Sequence, residues 1–191
     1  IIGDIHGEIT KLKLLVKFIK DIDDKPELIF IGDYLDKGES SKKTLDFLIQ
    51  LKNELKCFFI EGNHEYQWLN VSKENNIEEY LLKYGGELTM NSFKGIENVF
   101  QLKELFLNKY KDFFENLVPY WENKKYVVTH SGIPPKYYNN ELNTIEKRHF
   151  LFNRYEFIKI EERYKGKIVI FGHTGFYQPY FDGVKIGLDT S

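Results

Sequence analysis

Short polar clusters follow five apolar runs of the chain, and they hold most of its histidines. The clusters occupy residues 3–7, 32–38, 61–65, 130–132 and 172–174. Four of the five histidines lie in them, together with aspartates and one asparagine. Carboxylate, imidazole and amide donors without a thiolate suit Mn²⁺, Fe or Zn²⁺ better than Ca²⁺ or a cysteine-rich structural zinc. The pattern therefore predicts a metal site built from residues far apart in the sequence.

The candidate ligands are too numerous for one tetrahedral ion. They are Asp4, His6, Asp33, Asn63, His130 and His173. Two divalent ions sharing Asp33 would accommodate all six, at the ~3.5–4 Å separation of two-metal hydrolytic sites. Two such ions bring four positive charges and two carboxylates return two negative ones, so the remaining charge would attract a phosphate dianion. The predicted chemistry is phosphoryl hydrolysis.

Simpler explanations exist for several of these residues. Asp4 and Asp33 each stand between a predicted strand and a predicted helix, where aspartate often caps a turn. Because His6 and Asn63 occupy equivalent positions, the capping explanation is the weaker one. His64 could likewise be a solvated loop histidine, although its position beside Asn63 favours a catalytic role.

Other reactive residue types carry no predicted chemistry. His149 matches no motif and is interpreted as structural or exposed. Cys57 is interpreted as a small buried strand residue. A cysteine phosphatase would need arginine six positions after it, where Asn63 stands. Neither a P-loop nor a dinucleotide-binding glycine motif occurs in the sequence.

Five short apolar runs are predicted to be the strands that position the clusters, at 1–2, 28–31, 57–60, 126–129 and 168–171. Between these strands, apolar residues at helical spacing predict two amphipathic helices. Their apolar faces consist of Leu12, Leu15, Val16 and Ile19 in the first helix, and of Leu45, Leu48 and Leu55 in the second. This alternation indicates an α/β fold with βαβ units and a partly parallel sheet. Ligands bind outside the carboxyl ends of such strands, so the five clusters are expected to converge on one edge.

Residues from about 65 to 119 break the alternation with helical patterns, for example over 100–114. We interpret this segment as a helical cap inserted into a single domain of residues 1–191, since no linker or repeat divides the chain. The single cysteine excludes an internal disulfide framework and suits a reducing, cytoplasmic location. A net charge of −2 argues against a nucleic-acid partner. No apolar run reaches the ~20 residues of a membrane span, and no signal peptide is visible.

The motifs GDIHG, GDYLDKG, GNHE, THSG and GHT, in this order, resemble those of the calcineurin-like metallophosphoesterases. Within that superfamily the chain is most similar to prokaryotic and phage-type serine/threonine protein phosphatases. Further similarities lie at residues 84–89 (YGGELT), 150–154 (FLFNR) and 187–190 (GLDT). The resemblance implies a β-sandwich of mixed sheets flanked by helices, with the helical insert forming the cap.

The resemblance also implies roles for the clustered residues. One metal would be held by Asp4, His6 and Asp33, and the other by Asp33, Asn63, His130 and His173. A water bridging the metals, manganese being favoured, would attack phosphorus. The remaining roles fall to His64 as general acid, Asp36 as the group that orients it, and Lys37 and Arg154 as phosphoryl-binding residues. Lys37 stands where the family usually has arginine, so it lacks the bidentate fork.

Three functions are compatible with these motifs. The main interpretation is a phosphatase acting on phosphoserine and phosphothreonine, with a phosphorylated protein or peptide as partner. The alternative is a symmetrical diadenosine-tetraphosphate hydrolase or another nucleotide or RNA-end phosphoesterase. We separate the two by Glu65, because the protein phosphatases read GNHE and those relatives usually read GNHD. A non-catalytic metal-binding adaptor is disfavoured, since no expected ligand or acid is missing.

Overall fold

The computed structural model describes residues 1–190. The helices are α1 (Ile9–Ile22), α2 (Ser41–Glu54), α3 (Asn63–Asn70), α4 (Ile77–Lys83), α5 (Gly86–Ser92), α6 (Val99–Asn108), α7 (Lys111–Phe114) and α8 (Tyr155–Ile158). The strands are β1 (Leu28–Phe30), β2 (Cys57–Phe59), β3 (Tyr120–Glu122), β4 (Tyr126–Thr129), β5 (Ile168–Phe171), β6 (Tyr180–Phe181) and β7 (Lys185–Gly187). Short 3₁₀ turns lie at Pro135–Tyr137, Leu142–Thr144 and Lys147–Phe150.

Two sheets organise the fold. Strands β1 and β2 pair in parallel, with Leu28 opposite Cys57. The second sheet has the order β3-β4-β5-β7-β6, in which β4, β5 and β7 are parallel and both outer strands are antiparallel to their neighbours. Helix α2 connects β1 to β2, as a βαβ unit requires. The predicted α/β fold with partly parallel, mixed sheets is therefore confirmed.

The strand predicted at residues 1–2 is confirmed only as a bridge. Ile2 pairs in parallel with Phe30. Its N–H donates to the carbonyl of Ile29 at 2.8 Å and its carbonyl accepts from Ile31 at 3.1 Å. By contrast, the strands predicted at 126–129 and 168–171 coincide with β4 and β5.

The alternation of side chains along each strand sorts the apolar residues into separate clusters. Along β1, Leu28 and Phe30 join a cluster with α1, α2 and the helices α3–α7, whereas Ile29 faces the other way. Ile29 lies in a cluster with Val128 of β4 and Ile170 of β5, so residues of both sheets pack together. The opposite faces of β4 and β5 pack beneath α8 and the 3₁₀ turns.

The segment predicted to be a helical insert contains α3–α7, and its long predicted helix is broken near Tyr110. Its buried side chains, such as Trp68 and Phe106, belong to the same cluster as β1. The cap boundaries, the sandwich arrangement and the single-domain division remain predictions. None of the helices within residues 1–190 is both long enough and apolar enough to cross a membrane.

Candidate metal centre and active site

The polar clusters meet at the carboxyl ends of the strands, and Asp33 lies at their centre. Its Oδ2 is 3.5 Å from Nε2 of His6 and 3.8 Å from Nε2 of His64. Its Oδ1 is 3.4 Å from Nε2 of His130. Two buried groups, His6–Asp33–His64 and Asp33–His130–His173, each have donor atoms within 4.8 Å of one another. Two potential ion sites thus share one aspartate.

Backbone carbonyls orient two of the histidines. Nδ1 of His6 lies 2.8 Å from the Leu35 carbonyl, and Nδ1 of His130 lies 2.8 Å from that of Ile31. Because a carbonyl only accepts, each Nδ1 carries the proton and each Nε2 is left with a lone pair directed into the site. This is the arrangement expected of metal-ligating imidazoles.

A cation would satisfy the contact between His130 and Asn63. Burial lowers the pKa of His130, so the ring carries a single proton at neutral pH. Since that proton is on Nδ1, Nε2 is an acceptor, and it faces another acceptor, Oδ1 of Asn63, at 2.9 Å. Two acceptors at this distance repel one another unless a positive charge lies against both.

Asp4 has a carboxylate oxygen that also fits a cation. Its Oδ2 accepts the His173 N–H at 3.0 Å, while its buried Oδ1 has no hydrogen-bond partner within residues 1–190. Burial and the nearby charges of Asp33 and Asp189 raise the pKa of Asp4 well above its usual range. Burying ionised carboxylates close together costs free energy, and bound cations would offset that cost. The donor set therefore fits hard divalent ions. Sequence analysis did not single out Asp189 as a neighbour of this site.

His64 takes the place in the first group that the resemblance implies for Asp4. Its Nδ1, however, donates to Oδ2 of Asp36 at 2.6 Å. Burial by itself would lower the pKa of His64, but Asp33 and Asp36 outweigh it and raise the pKa to about 9. The ring therefore holds both protons at neutral pH, and Nε2 is a donor. This state suits a general acid rather than a ligand.

Asp36 is fixed by two residues that sequence analysis did not assign to the site. Its fully buried carboxylate accepts from Trp68 Nε1 at 2.9 Å and from Thr89 Oγ1 at 2.6 Å. The Asp36 N–H donates in turn to Thr89 Oγ1 at 2.8 Å. Trp68 lies one helical turn after His64 on α3, a spacing visible in the sequence. Thr89 ends the YGGELT motif, which was noted only as a similarity.

Glu65 braces the loop that carries Asp33. Both of its oxygens accept backbone N–H groups, those of Asp33, Tyr34, Leu35 and Gly62, at 2.9–3.2 Å. Burial and Asp33 raise the pKa of Glu65 to about 8, while four N–H donors favour its ionised form. The side chain is fully buried. Its contacts are therefore structural, and none is with the open site.

The backbone of the site is held in an unusual conformation. Positive φ values occur at five predicted site residues, namely His6 (45°), Asp33 (52°), Asp36 (67°), Lys37 (60°) and His173 (63°). Lys165 is the one other non-glycine residue with positive φ in residues 1–190. Such conformations cost free energy and persist where surrounding contacts impose them. The clustering of this strain marks the same residues that the motifs selected.

The two predicted phosphoryl-binding residues differ in placement. The ammonium of Lys37 donates to Nε2 of His6 at 2.8 Å, within the first ion site. Arg154 is exposed. Burial lowers the pKa of His173 to about 2, and the charges of His130 and Arg154 add to this shift. Burial raises the pKa of Tyr80, and the charge of Arg154 opposes that change. Arg154 thus lies at the rim beside the second ion site. Their roles toward phosphate remain predictions.

The family model for calcineurin-like phosphoesterases matches residues 1–177. The chain belongs to this family. This phosphoesterase is 26% identical over 214 aligned residues to the asymmetrical bis(5'-nucleosyl)-tetraphosphatase PrpE of Oceanobacillus iheyensis, across 100% of this chain and 82% of the relative.

Solved structures agree on the fold. A putative diadenosine tetraphosphatase superposes with a TM-score of 0.63 at 20% identity, over 99% of this phosphoesterase and 81% of that chain. The cold-active protein-tyrosine phosphatase of a psychrophilic Shewanella species gives a TM-score of 0.66 at 15% identity, over 100% and 70%. The metal-dependent phosphoesterase reading is thereby supported, and the relatives by sequence favour the nucleotide alternative over the protein-phosphatase interpretation.

Proposed function

We propose that this phosphoesterase hydrolyses dinucleoside polyphosphates, with a bis(5'-nucleosyl)-tetraphosphate as substrate. The observation that carries the proposal is the full-length similarity to a tetraphosphatase, which spans all 191 residues of the chain. That relative is named as asymmetrical, so we expect cleavage into a nucleoside monophosphate and a nucleoside triphosphate rather than into two diphosphates. The alternative given from the sequence was a symmetrical hydrolase, and the main interpretation was a phosphoprotein phosphatase; the proposal departs from both.

The placement of Glu65 weakens the preference for a phosphoprotein substrate. That preference depended on Glu65, whose two oxygens are occupied by backbone N–H groups beneath the site. Because both oxygens are engaged with this loop, a change of one methylene would act first on the support of Asp33. The proposal therefore gives Glu65 little weight in choosing between a peptide phosphate and a nucleotide phosphate.

The distribution of arginine favours a substrate with several phosphates. The chain has only three arginines, and two of them, Arg148 and Arg154, stand on the loop that borders the site. Arginine binds phosphate oxygens through a planar pair of donors. A tetraphosphate chain extends beyond the scissile phosphorus and offers oxygens to both residues, whereas a serine monoester offers one phosphoryl group.

Each predicted site residue has a separate role in this reaction. Asp4, His6 and Asp33 would hold one divalent ion, and Asp33, Asn63, His130 and His173 the other. Such ions, when bound, neutralise phosphate charge and lower the pKa of the attacking water.

His64 would donate its Nε2 proton to the leaving oxygen, and Asp36 stabilises the protonated ring that makes this possible. Arg154 would bind the phosphate chain, and Lys37 would join it once released from His6.

Product analysis tests the proposal. The Mn²⁺-loaded protein is incubated with diadenosine tetraphosphate, with a phosphoserine peptide and with p-nitrophenyl phosphate, and kcat/KM is compared. We expect diadenosine tetraphosphate to be the best substrate, with AMP and ATP as the separated products, and EDTA to stop the reaction. The Asp33→Asn variant, purified in parallel, controls for contaminating activity. A phosphopeptide turned over faster than the dinucleotide would overturn the proposal.

A further inference from the structure

We propose that a cavity beside the second ion site binds a nucleobase of the substrate. The cavity has a volume of about 350 Å³ and is lined by Tyr66, Arg148, His149, Phe152 and Asn153. The volume of the cavity lies within the ~300–1,000 Å³ range of small-molecule sites. This inference deepens the proposed function, on which it rests. His149, for which the sequence indicated no role, belongs to this cavity.

The cavity adjoins the second ion site at Phe152. The Phe152 ring stands perpendicular to the ring of His173, with centroids 6.5 Å apart. Tyr66 lies on α3, the helix that also carries His64, the predicted acid. Arg154 follows Phe152 by two residues. A nucleotide whose phosphate lies at the ion sites and on Arg154 would therefore have its base directed toward Phe152.

The lining combines flat apolar surface with polar groups, which is what a nucleobase requires. Tyr66 and Phe152 meet edge to face at 6.1 Å, and Phe152 leaves 47% of its surface exposed. A base can stack on that exposed face, because aromatic rings bind the π-face of any base. Around it, the His149 ring offers a hydrogen-bond donor for the polar edge of the base. A purely aliphatic ligand would leave this group desolvated.

Hydrogen bonds hold the cavity wall in place before a ligand arrives. The Asn153 side-chain amide donates to the carbonyls of His149 at 2.6 Å and Gly132 at 3.2 Å. Its backbone N–H donates to Ser131 Oγ at 2.9 Å. Because Ser131 directly follows the predicted ligand His130, Phe152 is fixed relative to the ion site. Preorganisation of this kind reduces the entropy lost on binding.

Binding of AMP and ribose 5-phosphate to the Mn²⁺-loaded protein, measured by isothermal titration calorimetry, tests the base site. The two ligands share the phosphate and the ribose and differ in the base. We expect AMP to bind about tenfold more tightly, which is within the stabilisation that base stacking provides. In ligand-observed NMR, saturation of the protein should transfer to the adenine protons.

Variants assign the preference to the cavity. Phe152→Ala should bring the AMP to ribose 5-phosphate affinity ratio close to one, and Phe152→Trp should restore it. Phe18, which is 62% exposed on α1 and outside the cavity lining, supplies the matched control, and Phe18→Ala should leave the ratio at the wild-type value. Tyr66→Leu removes a second aromatic ring from the cavity and should also lower the AMP to ribose 5-phosphate affinity ratio.

The outcomes separate the base site from the proposed function. Equal affinities for AMP and ribose 5-phosphate in the wild type, or an unchanged ratio in Phe152→Ala, would overturn the base site. A base preference that depends on Phe152 without hydrolysis of diadenosine tetraphosphate would support the base site and overturn the function. A phosphoserine peptide that loses affinity in Phe152→Ala, with equal AMP and ribose 5-phosphate binding, would assign the cavity to peptides instead.

Discussion

The ammonium of Lys37 donates to Nε2 of His6 across 2.8 Å, and that nitrogen is one of the predicted metal ligands. The Nδ1 of the same ring faces the Leu35 carbonyl, so Nε2 has only its lone pair to offer. We therefore expect the ammonium and a divalent ion to compete for this atom. Lys37 would then influence metal binding as well as serve as a predicted phosphoryl-binding residue.

Lys37→Met should raise the affinity for Mn²⁺ about tenfold, because a charge-assisted hydrogen bond of roughly 1.5–3 kcal/mol no longer holds His6. Calorimetric titration with Mn²⁺ measures the change. The same variant should raise KM for diadenosine tetraphosphate, since a phosphoryl-binding charge is lost. Lys43→Met, on the exposed face of α2, serves as the control. Unchanged or weaker Mn²⁺ binding by Lys37→Met would contradict the competition.

His64→Ala should retain both metal ions, measured by atomic emission, and lose kcat in proportion to the basicity of the leaving group. General acid catalysis contributes typically 10²–10⁴-fold where the leaving oxygen needs a proton. The loss should be largest for an alkyl phosphate and smallest for p-nitrophenyl phosphate, whose leaving group departs as a stable anion. A uniform loss across both substrates would contradict the general-acid role, and a loss of metal would mean that His64 acts as a ligand.

Trp68→Phe should lower kcat about tenfold and shift the alkaline limb of the pH–rate profile upward. The indole N–H stabilises the Asp36 carboxylate. Without it, Asp36 is more basic and holds the His64 proton more tightly, so the already raised pKa of His64, about 9, increases further. Trp121→Phe, on β3, is the matched control. If the alkaline limb of the pH–rate profile stays where it is in the wild type, Trp68 contributes only packing.

Glu65→Asp should leave the ratio of nucleotide to phosphopeptide turnover within about twofold of the wild type. The shorter side chain cannot reach all four N–H donors, so we expect roughly 1–3 kcal/mol of destabilisation, read from chemical denaturation. Glu87→Asp, at an exposed position of α5, controls for the substitution itself. If Glu65→Asp converts substrate preference while stability is unchanged, the residue discriminates substrates after all.

Cys57 should react slowly with thiol reagents at neutral pH. Burial raises the pKa of its thiol to about 11, so the reactive thiolate is scarce until the pH approaches that value. Labelling by a chromogenic disulfide at pH 7 should be far slower than in urea, and should accelerate as the pH rises. Complete labelling at pH 7 at the unfolded rate would contradict this assignment.

The meeting of His and Asp side chains at one place in the fold could be predicted from the sequence, because it depends on residue types next to strand ends. Asp33, Asn63 and His130 each follow a strand, and parallel strands deliver their carboxyl ends to one edge. No knowledge of packing is needed for that inference.

Tertiary structure alone decided what holds these residues in place. Thr89 reaches Asp36 across 53 positions and Glu65 reaches Asp33 across 32, through packing of helices against the β1–β2 sheet. Both residues lie within motifs that the sequence shows, but their contacts could not be predicted. Residue type alone does not indicate which loop a distant helix will pack against. Likewise, the wall of the cavity around Phe152 is held by hydrogen bonds from Asn153 to residues 131 and 132, about twenty positions away. Ligand types are local properties of the chain, whereas partners and cavities arise from the whole fold.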